Sequence, residues 1–175
     1  NTRQTVEWDL APTVALVSRL PLAGAGVAWV NFPAGVSVSA DDNPCRFARA
    51  PLHVQVILPG GQLTDVVVVH LKSRRPDYRH GDGSDAAAYA LANLRSLQRR
   101  GAEAVALRVL ASELGHSSRP RIVLGDFNDI ANAVTTAIVI GAGAPCEPGM
   151  EMRERLYDAN AIALGQYRNR EGAER

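Results

Sequence analysis

The stretch Arg121–Asp129, which reads Arg-Ile-Val-Leu-Gly-Asp-Phe-Asn-Asp, decides the fold that the sequence predicts. Its apolar run, Ile122 to Leu124, predicts a short buried strand, and Gly125 then leads directly into an acid and an amide. A glycine at this point lets the backbone come close to a ligand. Because open α/β sheets bind ligands at the carboxyl ends of their strands, Asp126 and Asn128 are expected to face a site. A plain strand-to-helix turn, with Asp or Asn as the cap, explains the five residues about equally well.

A second apolar run also ends in residues that can carry charge. Val66 to Val69 is a continuous β-branched run, typical of a strand buried on both faces, and His70 and Lys72 follow it. A single histidine is more often a core or surface residue than a catalyst. Two strands that both end in such residues are, however, the way a phosphoester-cleaving site is assembled from separate strand ends.

With these motifs the sequence resembles the endonuclease/exonuclease/phosphatase superfamily. These metal-dependent phosphoesterases include pancreatic-type deoxyribonuclease, abasic-site endonuclease, sphingomyelinases and inositol-polyphosphate phosphatases. Three segments match in the family's order: Val14 to Leu22 with its Ser-Arg-Leu-Pro, Val67 to Ser73 with its His-Leu-Lys-Ser, and Ile122 to Asp129 with its Gly-Asp-Phe-Asn-Asp. The resemblance covers about Ala15 to Ile138, and the last two motifs together are specific where either alone is weak.

The resemblance implies both a fold and an activity. The implied fold class is α/β, a four-layer α-β-β-α sandwich of two packed sheets flanked by helices, with residues 1–175 as a single partial domain. The implied activity is metal-dependent hydrolysis of a phosphoester, with a phosphodiesterase or nuclease-like enzyme as the main hypothesis and nucleic acid as one candidate substrate. Asp126 would orient or deprotonate the attacking water, Asn128 would hold the phosphate or the metal-bound water, and His70 would donate a hydrogen bond or proton. Mg²⁺ or Mn²⁺ would bind hard oxygen ligands, with Asp126 and Asn128 among them.

Two family motifs are not found. Members carry a metal-binding glutamate on an early strand, usually after a glutamine, whereas here Glu7 is flanked by Trp8 and Asp9 and does not fit that pattern. Members also end with Ser-Asp-His on a late strand, and no such triplet follows Asp129. Leu156 to Asn160 resembles the stretch before that motif. We therefore expect an internal portion of a longer superfamily member, incomplete at both ends, with an incomplete metal site.

The segment Ser73 to Ser84, which follows the His70 strand, is rich in basic residues. Such a loop is usually only solvated, but guanidinium groups bind phosphate oxygens through paired hydrogen bonds. Lys72, Arg74 and Arg79 are therefore predicted substrate contacts.

A long helix is predicted next, beginning with Asp85 after a Ser84 cap, kinked or split at Gly101 and ending at Gly115. Apolar residues spaced by three to four or their multiples predict the face that packs on the sheet, and the charged residues between them are expected to stay mostly outside. The apolar set is Leu91, Leu94, Leu97, Ala104, Leu107 and Leu114, and the charged set is Arg95, Arg99, Arg100, Glu103 and Arg108.

The remaining elements are predicted from alternation and from turn residues. They are strands over Thr13–Ser18 and Val27–Phe32, the second with Trp29 as a core residue; a hairpin of Pro51–Leu58 and Leu63–His70 around Pro59 to Gly61; a short helix within Ile130–Ile140; and a strand or short helix within Arg153–Gln166.

Composition sets further bounds. With 175 residues, 46% hydrophobic and 21% charged, the chain suits one ordinary globular domain without a membrane span. Lys plus Arg at 19 against Asp plus Glu at 18 gives no global basic field, so any attraction for phosphate must be local. Cys45 and Cys146 are expected to be unpaired thiols, with a single disulfide as the alternative. Asp41 and Asp42 are expected in a solvated loop rather than at a metal.

Alternative functions remain open at this stage. Because two metal-associated motifs are missing, the alternative hypothesis is a non-catalytic or truncated superfamily domain that binds or scaffolds. A phosphomonoesterase or lipid phosphodiesterase on the same core is a further alternative, since one fold serves several substrates through its loops. The sequence indicates no protein partner.

Overall fold

The computed structural model describes residues 14–36, 46–141 and 155–165. These residues form a mixed α/β structure with one four-stranded sheet and three helices, as the α/β prediction required. In chain order the elements are β1 (Val27–Ala28), β2 (Leu52–Ile57), β3 (Leu63–His70), α1 (Ala86–Gly115), β4 (Arg121–Asp126), α2 (Val134–Ile140) and α3 (Ala159–Ala163). None of the described helices is long and apolar enough to cross a membrane.

The strands lie side by side in the order β1-β2-β3-β4. β2 and β3 form the predicted antiparallel hairpin, whose turn needs the positive φ angles of Gly60 and Gly61, 97° and 85°. β3 and β4 are parallel, and α1 makes the connection between them. Their register runs from Asp65 opposite Arg121 to His70 opposite Asp126. The two strands that carry the polar ends are therefore direct neighbours.

The valine run of β3 is buried on both faces, as predicted. Val67 and Val69 belong to a core cluster shared with α1 and α2, whereas Val66 and Val68 belong to a second cluster with β2 on the opposite face. All four valines have relative exposures of 7% or less. Burial of a valine side chain contributes about 1.5–3 kcal/mol, so β3 is the centre of the hydrophobic core.

The start and continuity of α1 differ from the prediction. The helix begins at Ala86, and Asp85 rather than Ser84 is its N-cap, accepting a hydrogen bond of 2.8 Å from the Ala88 N–H. It continues without a break through Gly101 and ends at Gly115 as expected. A glycine costs only about 1 kcal/mol in a helix interior, and packing against the sheet outweighs that cost.

The predicted buried and exposed faces of α1 are wrong in its first half and also at Arg100 and Glu103. Leu91, Leu94 and Leu97 are about half exposed, whereas Arg100 and Glu103 are buried, with relative exposures of 7% and 1%. The prediction extended one leucine pattern over a helix of which only the later part covers the sheet. In the first half, small residues such as Ala92 and Ser96 line the buried face. The buried charges have specific polar partners, which are Asp129 for Arg100 and two backbone N–H groups for Glu103. In the later part, Ala104 and Leu107 are buried as predicted.

β4 is a strand, but the prediction that it is buried is wrong. Within the described ranges no strand pairs with its outer side, so β4 is an edge strand. Ile122 and Leu124 are 48% and 39% exposed, on the face of the second cluster, while Val123 packs against the first. A groove of about 890 Å³ runs along the free edge, between β4 on one side and α2 with residues 155–159 on the other.

Of the two predicted early strands, the first is wrong over its described residues and the second is shorter than expected. Residues 14–18 form no strand, and only Leu22 bridges to Val56. The second is reduced to β1, and beyond it Asn31 forms one bridge with Arg46. Trp29 is half-buried, packs against the first cluster and stacks on His53, with ring centroids 5.3 Å apart. The nearby prolines and glycines limit ladder formation.

The other predictions have mixed outcomes. α2 lies within the predicted Ile130–Ile140 helix, and α3 lies within Arg153–Gln166, where a helix is the correct alternative. The predictions for Glu7, Asp41, Asp42 and the two cysteines concern residues outside the described ranges.

Acid is expected to destabilise the fold partly through Asp65, which has no exposed surface. Burial alone would raise the pKa of Asp65, but hydrogen bonds from Arg119, His53 and Gln55 outweigh it and hold the pKa below its usual value. A carboxylate of this kind contributes stability that is fully present above about pH 4 and is lost as the pH falls through the lowered native pKa. Urea unfolding of Asp65→Asn should therefore depend less on pH between pH 5 and pH 2 than unfolding of the wild type. Identical pH dependence in the two proteins would contradict this assignment.

Candidate active site

His70 and Asp126 lie next to each other at the carboxyl ends of β3 and β4. They are partners in the parallel register, so both side chains project from the sheet face opposite α1. His70 Nε2 is 4.0 Å from Asp126 Oδ2, well inside the ~10 Å within which one phosphate and one water can bridge two groups. Their side chains are 39% and 63% exposed, so solvent screens their attraction and leaves both groups accessible.

Asn128 ties the turn after β4 to the end of β3. Its side-chain Nδ2 donates a hydrogen bond of 2.7 Å to the Leu71 carbonyl oxygen, and its backbone N–H donates one of 2.8 Å to Asp126 Oδ1. Its φ of 53° lies in the left-handed region, which asparagine tolerates better than most residues. The amide group of Asn128 therefore has a structural role, and its Oδ1 is the atom suited to a ligand.

Two charged side chains outside β3, Arg49 and Glu103, hold the end of this strand by hydrogen bonds. The Arg49 guanidinium donates to the carbonyl oxygens of both His70 and Leu71, the first at 2.8 Å. Glu103 of α1 accepts hydrogen bonds from the backbone N–H groups of Lys72, at 2.6 Å, and Ala48, at 2.8 Å. The backbone on either side of His70 is thus held by hydrogen bonds to charged groups, which are stronger than neutral ones.

Asp129 anchors the end of the turn after β4. One carboxylate oxygen accepts from Arg100 Nε at 3.0 Å and from the Thr135 hydroxyl at 2.6 Å. Burial alone would raise the pKa of Asp129, but hydrogen bonds from Thr135, the Ile130 N–H and Arg100 hold it below its usual value. Asp129 is therefore a charged structural anchor, in contrast to the exposed Asp126.

The predicted basic substrate contacts do not all face the same way. The Lys72 ammonium group contacts the carbonyl oxygens of Ser73 and Arg75 and the Ser96 hydroxyl, so it is engaged by its own loop and by α1. Arg74 and Arg79 are exposed in the loop after β3. A 2.6 Å salt bridge between Arg95 and Asp82 ties this loop to α1.

The described residues do not by themselves fit a resident metal ion. They contain no group of three or more His, Cys, Asp or Glu side chains that could hold one. Asp126 offers an exposed carboxylate and Asn128 a carboxamide oxygen, whereas Mg²⁺ requires six oxygen ligands and loses water reluctantly. The donor set suits at most a cation that keeps most of its water.

Comparison with known proteins adds no relative. No protein-family model, curated protein or solved structure matches the chain. The functional argument therefore depends on the geometry at the ends of β3 and β4 and on the motif resemblance.

Sequence reasoning missed the residues that hold the site in place. The helical pattern predicts Arg100 and Glu103 on the outer face of α1, and no sequence pattern gives Arg49 a role in the site. A usable signal existed for α1, because Ala92, Ser96 and Arg100 recur every four residues and mark a face of small and polar residues. No local pattern marks Arg49, because its partners lie 21 and 22 residues away in the sequence.

Substitution of Asn128 separates its hydrogen bond from its backbone conformation. Asn128→Ala loses the bond to Leu71 and places an unfavourable residue at positive φ, so we expect a loss of about 2 kcal/mol in the free energy of unfolding. Asn128→Gly loses the bond but accepts the backbone conformation, and should be less destabilised by about 1 kcal/mol. Urea unfolding measures both values. Equal losses would show that the left-handed conformation of Asn128 contributes nothing.

Proposed function

We propose that the chain is a metal-dependent phosphoester hydrolase, most concretely a phosphodiesterase or nuclease-like enzyme. One observation carries the proposal: the parallel register brings His70 within 4.0 Å of Asp126 at the carboxyl ends of two adjacent strands. An imidazole and a carboxylate at that distance can contact the same phosphate group and its attacking water. The resemblance of the two strand ends to His-Leu-Lys-Ser and Gly-Asp-Phe-Asn-Asp supports the same chemistry.

The proposed steps use the groups in distinct roles. Asp126 has one oxygen held by the Asn128 N–H, and its other oxygen lies toward His70, so it suits orientation and deprotonation of the water. The water oxygen then forms a bond to phosphorus while the ester P–O bond breaks. His70 supplies a hydrogen bond or proton to the phosphate or to the leaving oxygen. Asn128 was predicted to hold the phosphate or a bound water, and because its Nδ2 already donates to Leu71 and its Oδ1 can only accept, the role that we keep for it is to hold a water molecule beside the phosphate.

Mg²⁺ or Mn²⁺ belongs to the proposal through the resemblance. When bound, such an ion neutralises negative charge on the reacting phosphate. Asp126 and Asn128 are the residues proposed to contact it. Since these two residues do not make a complete site, every step above is assigned to the chain's own groups.

The four-layer sandwich is the finer fold that we propose. Among the described residues, Val14, Leu16 and Leu22 pack against the second core cluster, and Ile122 and Leu124 on the same face stay exposed. A second sheet over this face would bury the exposed part of β4. That arrangement would also form the second β layer of the sandwich.

Several classes of phosphoester are candidate substrates for the proposed reaction. The exposed Arg74 and Arg79 in the loop after β3 suit the oxygens of a phosphodiester, including one in nucleic acid. The same site would accept a phosphomonoester or a lipid phosphodiester if other loops selected it. A non-catalytic binding domain is the second candidate. Asp126 is the one exposed carboxylate that the turn after β4 presents, and one carboxylate is too few for a complete metal site.

Substitutions test the proposed reaction. His70→Ala and Asp126→Ala should each lower kcat by about 10²-fold or more on bis(p-nitrophenyl) phosphate with Mg²⁺, as expected for proton-transfer and electrostatic groups. Their folds should be unchanged by circular dichroism, because both side chains are exposed. His116→Ala is the matched control, since His116 is an exposed histidine at the C-terminal end of α1 and should retain full activity.

Comparing substrates separates the alternatives. Single-stranded DNA, p-nitrophenyl phosphate and sphingomyelin vesicles distinguish a nuclease, a phosphomonoesterase and a lipid phosphodiesterase. Wild-type activity in either His70→Ala or Asp126→Ala would remove the proposed roles. Binding of phosphodiesters without turnover in the wild type would favour the non-catalytic domain.

A further inference from the structure

α1 buries two charged residues where the sheet ends. Arg100 and Glu103 are one helical turn apart and have relative exposures of 7% and 1%. Removing a charged group from water costs several kcal/mol, and well-packed apolar residues in place of a buried ion pair often leave a protein equally or more stable. The burial of these two charges is therefore weak evidence for a role in stability, and their partners at the strand ends indicate where another role would lie.

The two residues hold opposite sides of the candidate site. Glu103 accepts the Lys72 N–H and so holds the backbone directly after His70 and Leu71. Arg100 donates to Asp129, which closes the turn that carries Asp126 and Asn128. Each charged residue thus holds the backbone or the anchor of one strand end by hydrogen bonds.

The two contacts start from neighbouring positions on one rigid helix. Residues three apart on a helix have Cβ atoms about 5–6 Å apart, and the helix backbone does not allow this spacing to vary. α1 therefore supports the backbone after β3 and the turn after β4 from neighbouring positions, in addition to the parallel pairing of the two strands.

We propose that Arg100 and Glu103 are positioning residues that hold the backbone after His70 and the turn after Asp126, and so keep the side chains of this register pair oriented for the hydrolysis proposed above. The inference rests on that proposed function. Both residues act through other groups: Glu103 through the backbone at Lys72, and Arg100 through Asp129. Their loss should misplace the reacting groups without removing any of them. Misplacement by about 1 Å is enough to cost roughly 10²-fold in rate.

Four variants test the proposal against a purely structural role. Arg100→Met combined with Asp129→Leu removes both buried charges together, and Glu103→Met removes the acceptor for two N–H groups. Glu103→Gln restores one acceptor in nearly the same shape. Arg108→Met is the control, since the Arg108 guanidinium contacts the carbonyl oxygens of Val139 and Ile140, about 12 Å further along the same helix.

Turnover and stability are measured on the same samples. We expect the Arg100/Asp129 double variant to lose about 10- to 100-fold in kcat, with KM changed less than about threefold. Its urea midpoint should fall only modestly, because removal of the buried ion pair offsets part of the cost of leaving the Thr135 hydroxyl without its acceptor. Glu103→Gln should recover most of the kcat that Glu103→Met loses. Unchanged kcat in the double variant, or an equal loss in Arg108→Met, would overturn the proposal.

A spectroscopic measurement keeps this test independent of the proposed reaction. Nuclear Overhauser effects between the His70 ring and the Asp126 side chain report their approach directly. They should weaken in the Arg100/Asp129 double variant and persist in Arg108→Met. An inactive wild type would reject the proposed function while these effects still decide the positioning role. Equal effects in the wild type and the double variant would reject the positioning role whatever the activity.

Discussion

Parallel pairing of β3 with β4 is the constraint on which the candidate site depends. The pairing reaches the last residue of both strands, His70 and Asp126, because Gly125 allows the two backbones to come very close. Gly125 has a φ of 130°, and a Cβ at this position would overlap the Val69 carbonyl group. The glycine before the acid is therefore needed for contact between strands, in addition to any contact with a ligand.

Beyond the last paired residues, side chains replace the ladder of the sheet. Backbone groups at the ends of strands need partners, and around the site charged or amide side chains provide them. Arg49 and Asn128 satisfy carbonyl oxygens at His70 and Leu71, and Glu103 satisfies the next N–H. These bonds come from three separate segments of the chain. The site is thus held by the buried Glu103 and the half-buried Arg49 and Asn128, with the two exposed groups, His70 and Asp126, at its surface.

Patterns that depend on neighbouring residues were predictable from the sequence. The Val66–Val69 run, the glycine turn of the hairpin and the strand before Asp126 each follow from local side-chain chemistry. Features that depend on packing between distant parts of the chain were not predictable. The burial of Arg100 and Glu103 depends on where α1 crosses the end of the sheet, and the exposure of Ile122 depends on what lies beyond β4. The adjacency of His70 and Asp126 followed from the rule for parallel strands, whereas the hydrogen bonds that hold them there had no local signal.

The most direct test of the account is a titration of the chain with dimethyl phosphate, a small phosphodiester that resists hydrolysis, followed by nuclear magnetic resonance. If the ends of β3 and β4 form one phosphate site, the shift changes should be confined to the His70 ring, the Asp126 side chain and the backbone amides from Gly125 to Asn128. They should fit a single binding constant. Changes elsewhere on the chain, with His70 and Asp126 unaffected, would contradict the central claim that these two strand ends form one site for a phosphoester.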